Sequence, residues 1–320
     1  MKYTILTVLL LVASRAFGQA CTNPNDGSGN VCAPTASANA KWMLINHASD
    51  IGSADQGCFL YKQVNFATNN LTITMTHPGT APTCSETGRT QTSQPYLSGA
   101  LITQQSFSPS TSCPSGTCTI QASIKAGKGW PAFWLLGGNG LTSSSSGCQF
   151  QTAFNGWDNN GNCNWSQDTM PNGDSGEIDI MEYVEPTYTD TNQNLFANAS
   201  TNFGSSQNIS DASANFHTYT LHWSNSSLTY AVDGTASSTH WSSNVPRNPM
   251  FIILENRVQG PSGKVPGSFP QVMAVQYVQV CDGKSCTLPG AAGGNSVFFD
   301  DFTEAPATPS APTELRGTVH

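Results

Sequence analysis

The sequence predicts a single all-β domain. Three observations lead there: short runs that alternate apolar with polar residues, turn-forming Gly, Pro, Ser, Thr and Asn between them, and no long amphipathic helical stretch. About 280 residues remain between a leader and a tail, an ordinary size for one undivided β-sandwich.

The clearest runs are Leu71-Thr-Ile-Thr-Met75, Thr119-Ile-Gln-Ala-Ser-Ile124, Tyr219-Thr-Leu-His-Trp223, Leu228-Thr-Tyr-Ala-Val232 and Val272-Met-Ala-Val-Gln-Tyr-Val-Gln-Val280. Successive side chains of a strand point to opposite faces, so alternation marks a strand with one buried face. Val232-Asp233-Gly234 carries the turn chemistry that closes a hairpin.

Residues 1–18 place Lys2 ahead of an apolar run from Ile5 to Ala13 that is too short to cross a bilayer. A signal peptide cleaved before Gln19 is therefore expected. Cys21 lacks the leucine three residues upstream that a lipoprotein signal requires. Past Gln19 no apolar stretch approaches the roughly 20 residues of a membrane span. A soluble, secreted monomer with no membrane partner is expected. At the other end, residues 303–320 open with Thr303-Glu-Ala-Pro-Ala-Thr-Pro-Ser-Ala-Pro312, a linker composition. Thr313 to His320 is similar to the first strand of a fibronectin type III module, so either a truncated module or a bare tail is expected.

Ten cysteines, an even number in an exported chain, fall into the sequence-adjacent couples Cys21/Cys32, Cys58/Cys84, Cys113/Cys118, Cys148/Cys163 and Cys281/Cys286. Local disulfides are expected, with the connectivity left open by sequence. Zinc ligation needs CxxC or Cys/His spacing, and neither occurs. Asp158-Asn-Asn-Gly-Asn162 has its glycine too early for a calcium loop, so a structural calcium ion cannot be placed. The formal net charge is −8 with only 12 Lys and Arg, scattered rather than clustered, which excludes nucleic acid as a partner.

The chemistry concentrates at Gly176-Glu-Ile-Asp-Ile-Met-Glu-Tyr183, where three carboxylates interrupt an otherwise apolar strand. Alternation puts Glu177 and Asp179 on one face and Ile178 and Ile180 on the other. Continued strictly, it would send Glu182 into the core, where a bare carboxylate is costly. One extra residue, a β-bulge at Ile180-Met181, hides Met181 and returns Glu182 to the face of Glu177 and Asp179. Like charges crowded together spread their pKa values, so one glutamate can stay protonated as an acid while another is ionised as a nucleophile. A solvated edge strand or calcium-binding rim is the competing reading, and the isoleucines between the acids argue against it. Gly173-Asp-Ser-Gly176 repeats a serine-protease fragment but lacks the following glycine and an upstream Ala-Ala-His-Cys strand.

Glu177-Ile-Asp-Ile-Met-Glu182 resembles the bulged E-x-D-x-x-E signature of glycoside hydrolase family 16, in its laminarinase-like and galactan-cleaving form; lichenases and xyloglucan enzymes carry the unbulged form. Gly129-Trp-Pro-Ala-Phe-Trp-Leu-Leu-Gly137 is similar to the family's preceding strand, and Phe216-His-Thr-Tyr-Thr-Leu-His-Trp223 with Val232-Asp-Gly234 to a later hairpin. Pro249-Met-Phe-Ile-Ile-Leu254 and Met273-Ala-Val-Gln-Tyr-Val-Gln-Val280 are similar to its closing strands. The likeness runs in order from Asn46 to Val280.

The resemblance implies a concanavalin-like jelly roll over residues 19–302 with a substrate cleft across its concave sheet. Glu177 would be the nucleophile, Asp179 its helper and Glu182 the acid/base. No cofactor is implied, and the partner is a β-glucan polysaccharide. Internal, retaining cleavage of β-1,3-glucan ranks first, mixed-linkage β-1,3-1,4-glucan second, and agarose or carrageenan third. Of the cations expected near the cleft, only Lys125, Lys128, Arg247 and Arg257 could serve a sulfated chain. A transglycosylase would share every catalytic residue; a lectin would have no reason to keep the acids.

Trp130 and Trp134 share a face by alternation and are expected to stack on sugar rings. Trp157 lies within and Trp165 just beyond the Cys148 to Cys163 loop; either is expected to form a cleft wall, and Trp165 is counted among the sugar-contacting residues. The family's Ser-Gly-Arg reads Ser98-Gly99-Ala100 here, its Thr-Leu-His reads Ser200-Thr201-Asn202, and Gln276 replaces an aspartate. Asn202 and His217 complete the expected sugar-contacting set.

Overall fold

The computed structural model describes residues 30–32, 41–45, 57–59, 63–67, 70–77, 96–137, 177–183, 190–198, 201–241, 245–247, 249–258, 267–287 and 294–302. Among them no α-helix occurs. The strands, in chain order, are β1 (Asn30–Cys32), β2 (Trp42–Ile45), β3 (Gly57–Phe59), β4 (Val64–Ala67), β5 (Asn70–Met75), β6 (Tyr96–Phe107), β7 (Thr117–Lys125), β8 (Trp130–Gly137), β9 (Glu177–Tyr183), β10 (Asp190–Asn198), β11 (Thr201–Asn208), β12 (His217–Ser224), β13 (Ser227–Val232), β14 (Thr235–Trp241), β15 (Met250–Arg257), β16 (Gln271–Asp282) and β17 (Ser296–Asp300).

They form two sheets, the all-β sandwich that the alternation predicts. One runs β1-β2-β6-β15-β8-β9-β10-β11 with β3 beside β6, and the other β14-β13-β12-β7-β16-β5-β4 with β17 beside β16. Apart from the parallel β3–β6 pair, neighbours are antiparallel. The five runs picked out by alternation lie in β5, β7, β12, β13 and β16. Val232 and Thr235 close the β13–β14 hairpin, with Asp233 at φ 49° and Gly234 at φ 75°, the left-handed pair that a two-residue turn demands.

The main core lies between the sheets. Phe133 and Leu135 of β8, Ile178, Ile180 and Met181 of β9 and Leu254 of β15 pack with Ile120 of β7, Tyr219 and Leu221 of β12 and Val280 of β16. A second apolar cluster covers the opposite face of the first sheet: Ala100, Ile102, Ala132, Trp134, Phe251 and Ile253, with Phe59 and Leu136. β15 is consequently buried on both faces along its length.

Two of the expected disulfides form, Cys113–Cys118 and Cys281–Cys286. Each ties a strand to its own adjoining loop, Cys118 of β7 to Cys113 and Cys281 of β16 to Cys286, and the two strands are neighbours, Cys118 standing opposite Asp282. Each of the other three expected couples includes a residue outside the described ones. The leader (1–18), the tail (303–320), Trp157, Trp165 and the Cys148–Cys163 loop also lie outside them.

Candidate active site

The acids stand near the middle of the first sheet, on β9 between β8 and β10. Leu136 faces Glu177 and Trp134 faces Asp179, yet Phe133, one residue from Trp134, faces Met181, two residues from Asp179. The β10 side agrees, with Asn194 opposite Asp179 and Asn192 opposite Glu182. β9 thus holds one residue more than either neighbour, at Ile180. Ile178, Ile180, Met181 and Tyr183 are all buried in the inter-sheet core. Glu177, Asp179 and Glu182 are left on the opposite face, Glu177 and Glu182 half-buried and Asp179 buried.

Burial first, and then the charge of Glu182, push the Glu177 carboxyl up to about 7; Arg257 and a hydrogen bond with Asp179 oppose the rise. Asp179 is raised well above the ordinary carboxyl range, by burial first and then by Glu177 and Glu182, against a hydrogen bond from Asn194 and the charge of Arg257. A side-chain hydrogen bond joins Asp179 to Glu177. The arrangement is three carboxyls within electrostatic reach of one another, Glu177 and Asp179 hydrogen-bonded together and Glu182 beside them. Such a set can attack an electrophilic carbon and shuttle a proton.

Glu182 accepts a hydrogen bond from Trp130 Nε1 at Oε1, and Asn194 Nδ2 lies 3.5 Å from Oε2. Asn194 is packed closely by Gly204, opposite it on β11; a methyl at Gly204 would come within 2.8 Å of Asn194 Oδ1.

The expected sugar-contacting residues separate. Trp130 is half-buried and at the site, bonded to Glu182, with the guanidinium of Arg257 4.0 Å from its ring centroid. Trp134 shares its face, but only 7 % of it is exposed, inside the second apolar cluster, so its ring is a packing element more than a sugar platform. Asn202 stands opposite Phe196 in the β10–β11 register. His217 is not brought to the acids. It lies on β12 of the other sheet, Nδ1 2.7 Å from Asp233 Oδ2 and Nε2 3.2 Å from Asp211 Oδ1. Which sheet a strand joins is a matter of pairing, and β12 pairs with β7 and β13. Gln276 is also on that other sheet, the extra residue of β16 opposite β7, bonded to Ser123 Oγ at 2.7 Å.

Sequence reasoning named Arg257 among the cleft cations but missed Glu255 and the pairing of the two on β15. They are 3 % and 6 % exposed, with Arg257 Nε 3.2 Å from Glu255 Oε1. Two charges at alternate positions in Phe251-Ile-Ile-Leu-Glu-Asn-Arg257 repeat the signal that singled out β9. Of the four cations expected near the cleft, Arg257 alone is among the influences on Glu177 and Asp179. Lys125 lies over the Phe216 ring and Arg247 donates to the Asn225 carbonyl.

Residues 157–262 match the sequence profile of glycosyl hydrolases family 16. A β-glucanase of Rhodothermus marinus is 26 % identical over 209 residues, covering 58 % of this chain and 62 % of that protein, so the chain spans about three-fifths of its relative's length. Among solved structures, SCLam, a non-specific endo-β-1,3(4)-glucanase of family GH16, superposes with TM-score 0.52 at 23 % identity, over 75 % of this chain and 83 % of the other. The laminarinase catalytic domain of Thermotoga maritima superposes with TM-score 0.55 at 20 % identity, over 77 % and 92 %. At these identities the structural likeness is one of fold.

Proposed function

We propose that this chain, which is related to the glycosyl hydrolases of family 16, is a secreted retaining endo-glycosidase acting on β-1,3-glucan. The observation that carries the reading is the extra residue at Ile180, which turns Glu182 to the face of Glu177 and Asp179. In the first step Glu177 attacks the anomeric carbon while Glu182 protonates the departing glycosidic oxygen, forming a glycosyl ester. In the second, Glu182 takes a proton from water, whose oxygen displaces Glu177. Asp179 donates to Glu177 and moderates its charge.

The substrate ranking draws on the relatives, described as β-glucanase, endo-β-1,3(4)-glucanase and laminarinase. Mixed-linkage glucan stands second for the same reason. Sulfated galactans rank last because they call for cationic subsites, and the cation nearest the acids, Arg257, is paired with Glu255. Secretion is supported by the leader and by the two bridges, which persist in oxidising compartments. A panel of laminarin, mixed-linkage glucan, agarose and carrageenan tests the reading. Laminarin should be cleaved internally and fastest; faster turnover of carrageenan would sink the ranking, and binding without cleavage would make the protein a lectin. Product analysis with an added acceptor separates hydrolysis from transglycosylation.

A further inference from the structure

Building on the glycosidase reading, we propose that Arg257, anchored by Glu255, is a positioning residue for the acid/base: it clamps one face of the Trp130 indole so that Nε1–H is held on Glu182 Oε1. Arg257 stands opposite Trp130, and Glu255 opposite Ala132, which in turn faces Glu182 across β8. The five residues therefore occupy two adjacent rows on one sheet face. The guanidinium carbon is 4.0 Å from the Trp130 ring centroid, and its Nε is 3.2 Å from Glu255 Oε1, with both charged side chains under 10 % exposed.

A buried ion pair contributes little net stability, because desolvation offsets most of the attraction. Its place in an otherwise apolar strand is better explained by orientation. The guanidinium is planar and rigid, matched to an aromatic face and to a carboxylate at once. An indole N–H only donates, so the oxygen that it meets on Glu182 is an acceptor. The other donor at this carboxyl, Asn194 Nδ2, stands 3.5 Å from Oε2 and bonds it only weakly, so Oε1 is the firmer acceptor and the carbonyl oxygen of the acid form, and the transferable proton sits on Oε2. In the first step the Oε2–H bond breaks and the proton goes to the glycosidic oxygen; in the second Oε2 takes a proton from water. Without the clamp the indole can tilt and the carboxyl can rotate, which hurts only reactions that need the proton.

The test uses Glu255→Gln/Arg257→Gln, which removes both charges and leaves no unpaired buried ion, and Arg257→Lys, which keeps the charge but not the plane. Each is assayed on a β-1,3-gluco-oligosaccharide, whose departing alcohol needs a proton, and on a 2,4-dinitrophenyl β-glycoside of the same sugar, whose departing group does not. Compared each at its own pH optimum, so that a shift of the Glu177 limb on losing the Arg257 charge does not enter, both variants should lose roughly tenfold or more in kcat/KM on the oligosaccharide and stay within about twofold on the aryl glycoside. The Trp130 indole ¹H–¹⁵N resonance, assigned by its disappearance in Trp130→Phe, should move upfield as its hydrogen bond weakens. Equal losses on both substrates, or an unmoved resonance, overturn the proposal. Should the double variant not fold, Arg257→Lys is read alone by the same criteria. A wild-type protein that cleaves neither substrate defeats the glycosidase reading; the resonance then decides the clamp, its upfield shift supporting it and its constancy overturning it.

Discussion

Glu177 and Glu182 are an odd number of residues apart on β9 and yet share one face of the sheet. Across β8 their partners Leu136 and Ala132 are an even number apart. The extra step on β9 reconciles the two counts. It also buries Met181 completely and keeps a carboxylate out of the core.

That shared face leads to a stereochemical prediction. The two carboxyls should lie about 5 to 5.5 Å apart in an enzyme–substrate complex, too close to admit water between acid and sugar. Early products of β-1,3-glucan, followed by proton NMR, should show the β-anomer first. With Glu182→Ala, azide should give a β-glycosyl azide from an activated aryl glycoside; with Glu177→Ala it should give the α product. Azide products of one configuration from both variants would overturn the role assignment.

The elevated Glu177 pKa makes a prediction for both activity and stability. The nucleophile must be ionised, so the acid limb of kcat/KM should fall at about pH 7. Asp179→Asn keeps a donor to Glu177 and should leave that limb nearly in place, whereas Asp179→Ala should move it up. For stability, the folded state holds this proton more tightly than the unfolded chain. Glu177 therefore weakens the fold as pH rises from its ordinary 4.5 to about 7, and the loss is complete above that. Glu177→Gln should melt higher than wild type at pH 8, with the gain shrinking toward pH 4. An equal gain at both pH values would dissociate the effect from ionisation.

Gly204 offers a local perturbation of the site from a neighbouring strand. Gly204→Ala places a methyl against Asn194 Oδ1 and should displace the amide from Asp179 and Glu182. Turnover should fall roughly tenfold, while the melting temperature changes by no more than a few degrees. Restoring space with Gly204→Ala/Asn194→Ser should not restore turnover, because the amide donor is gone. Unchanged kinetics in Gly204→Ala would mean that Asn194 has no part in the reaction.

Peptide mapping without reduction should recover all ten cysteines as disulfides. Removing the Cys113–Cys118 bridge by a double Ser substitution should cost about 2 kcal/mol or more, seen in denaturant melts. Free thiol at Cys113 or Cys118 would contradict an oxidising destination.

The acid triplet was legible because its signal is local: alternation, the cost of a buried carboxylate and one extra residue all act within a single strand. The β13–β14 turn was legible for the same reason, since Asp233 and Gly234 are the residues that tolerate positive φ. Trp134 shows where local reasoning stops. Alternation assigns its face correctly, but Phe251 and Ile253, which bury it, arrive from a strand more than a hundred residues away.

By itself, then, the sequence determined the all-β class and several of its strands, the face of each acid and the need for a bulge in β9, because backbone geometry and desolvation act over a few residues. Only the tertiary structure decided that Arg257 would cover Trp130, that Glu255 would hold Arg257, and that His217 would belong to the other sheet. Those relations depend on which strands become neighbours and in what register. That is settled by packing of the whole core, and no short window of residues contains it.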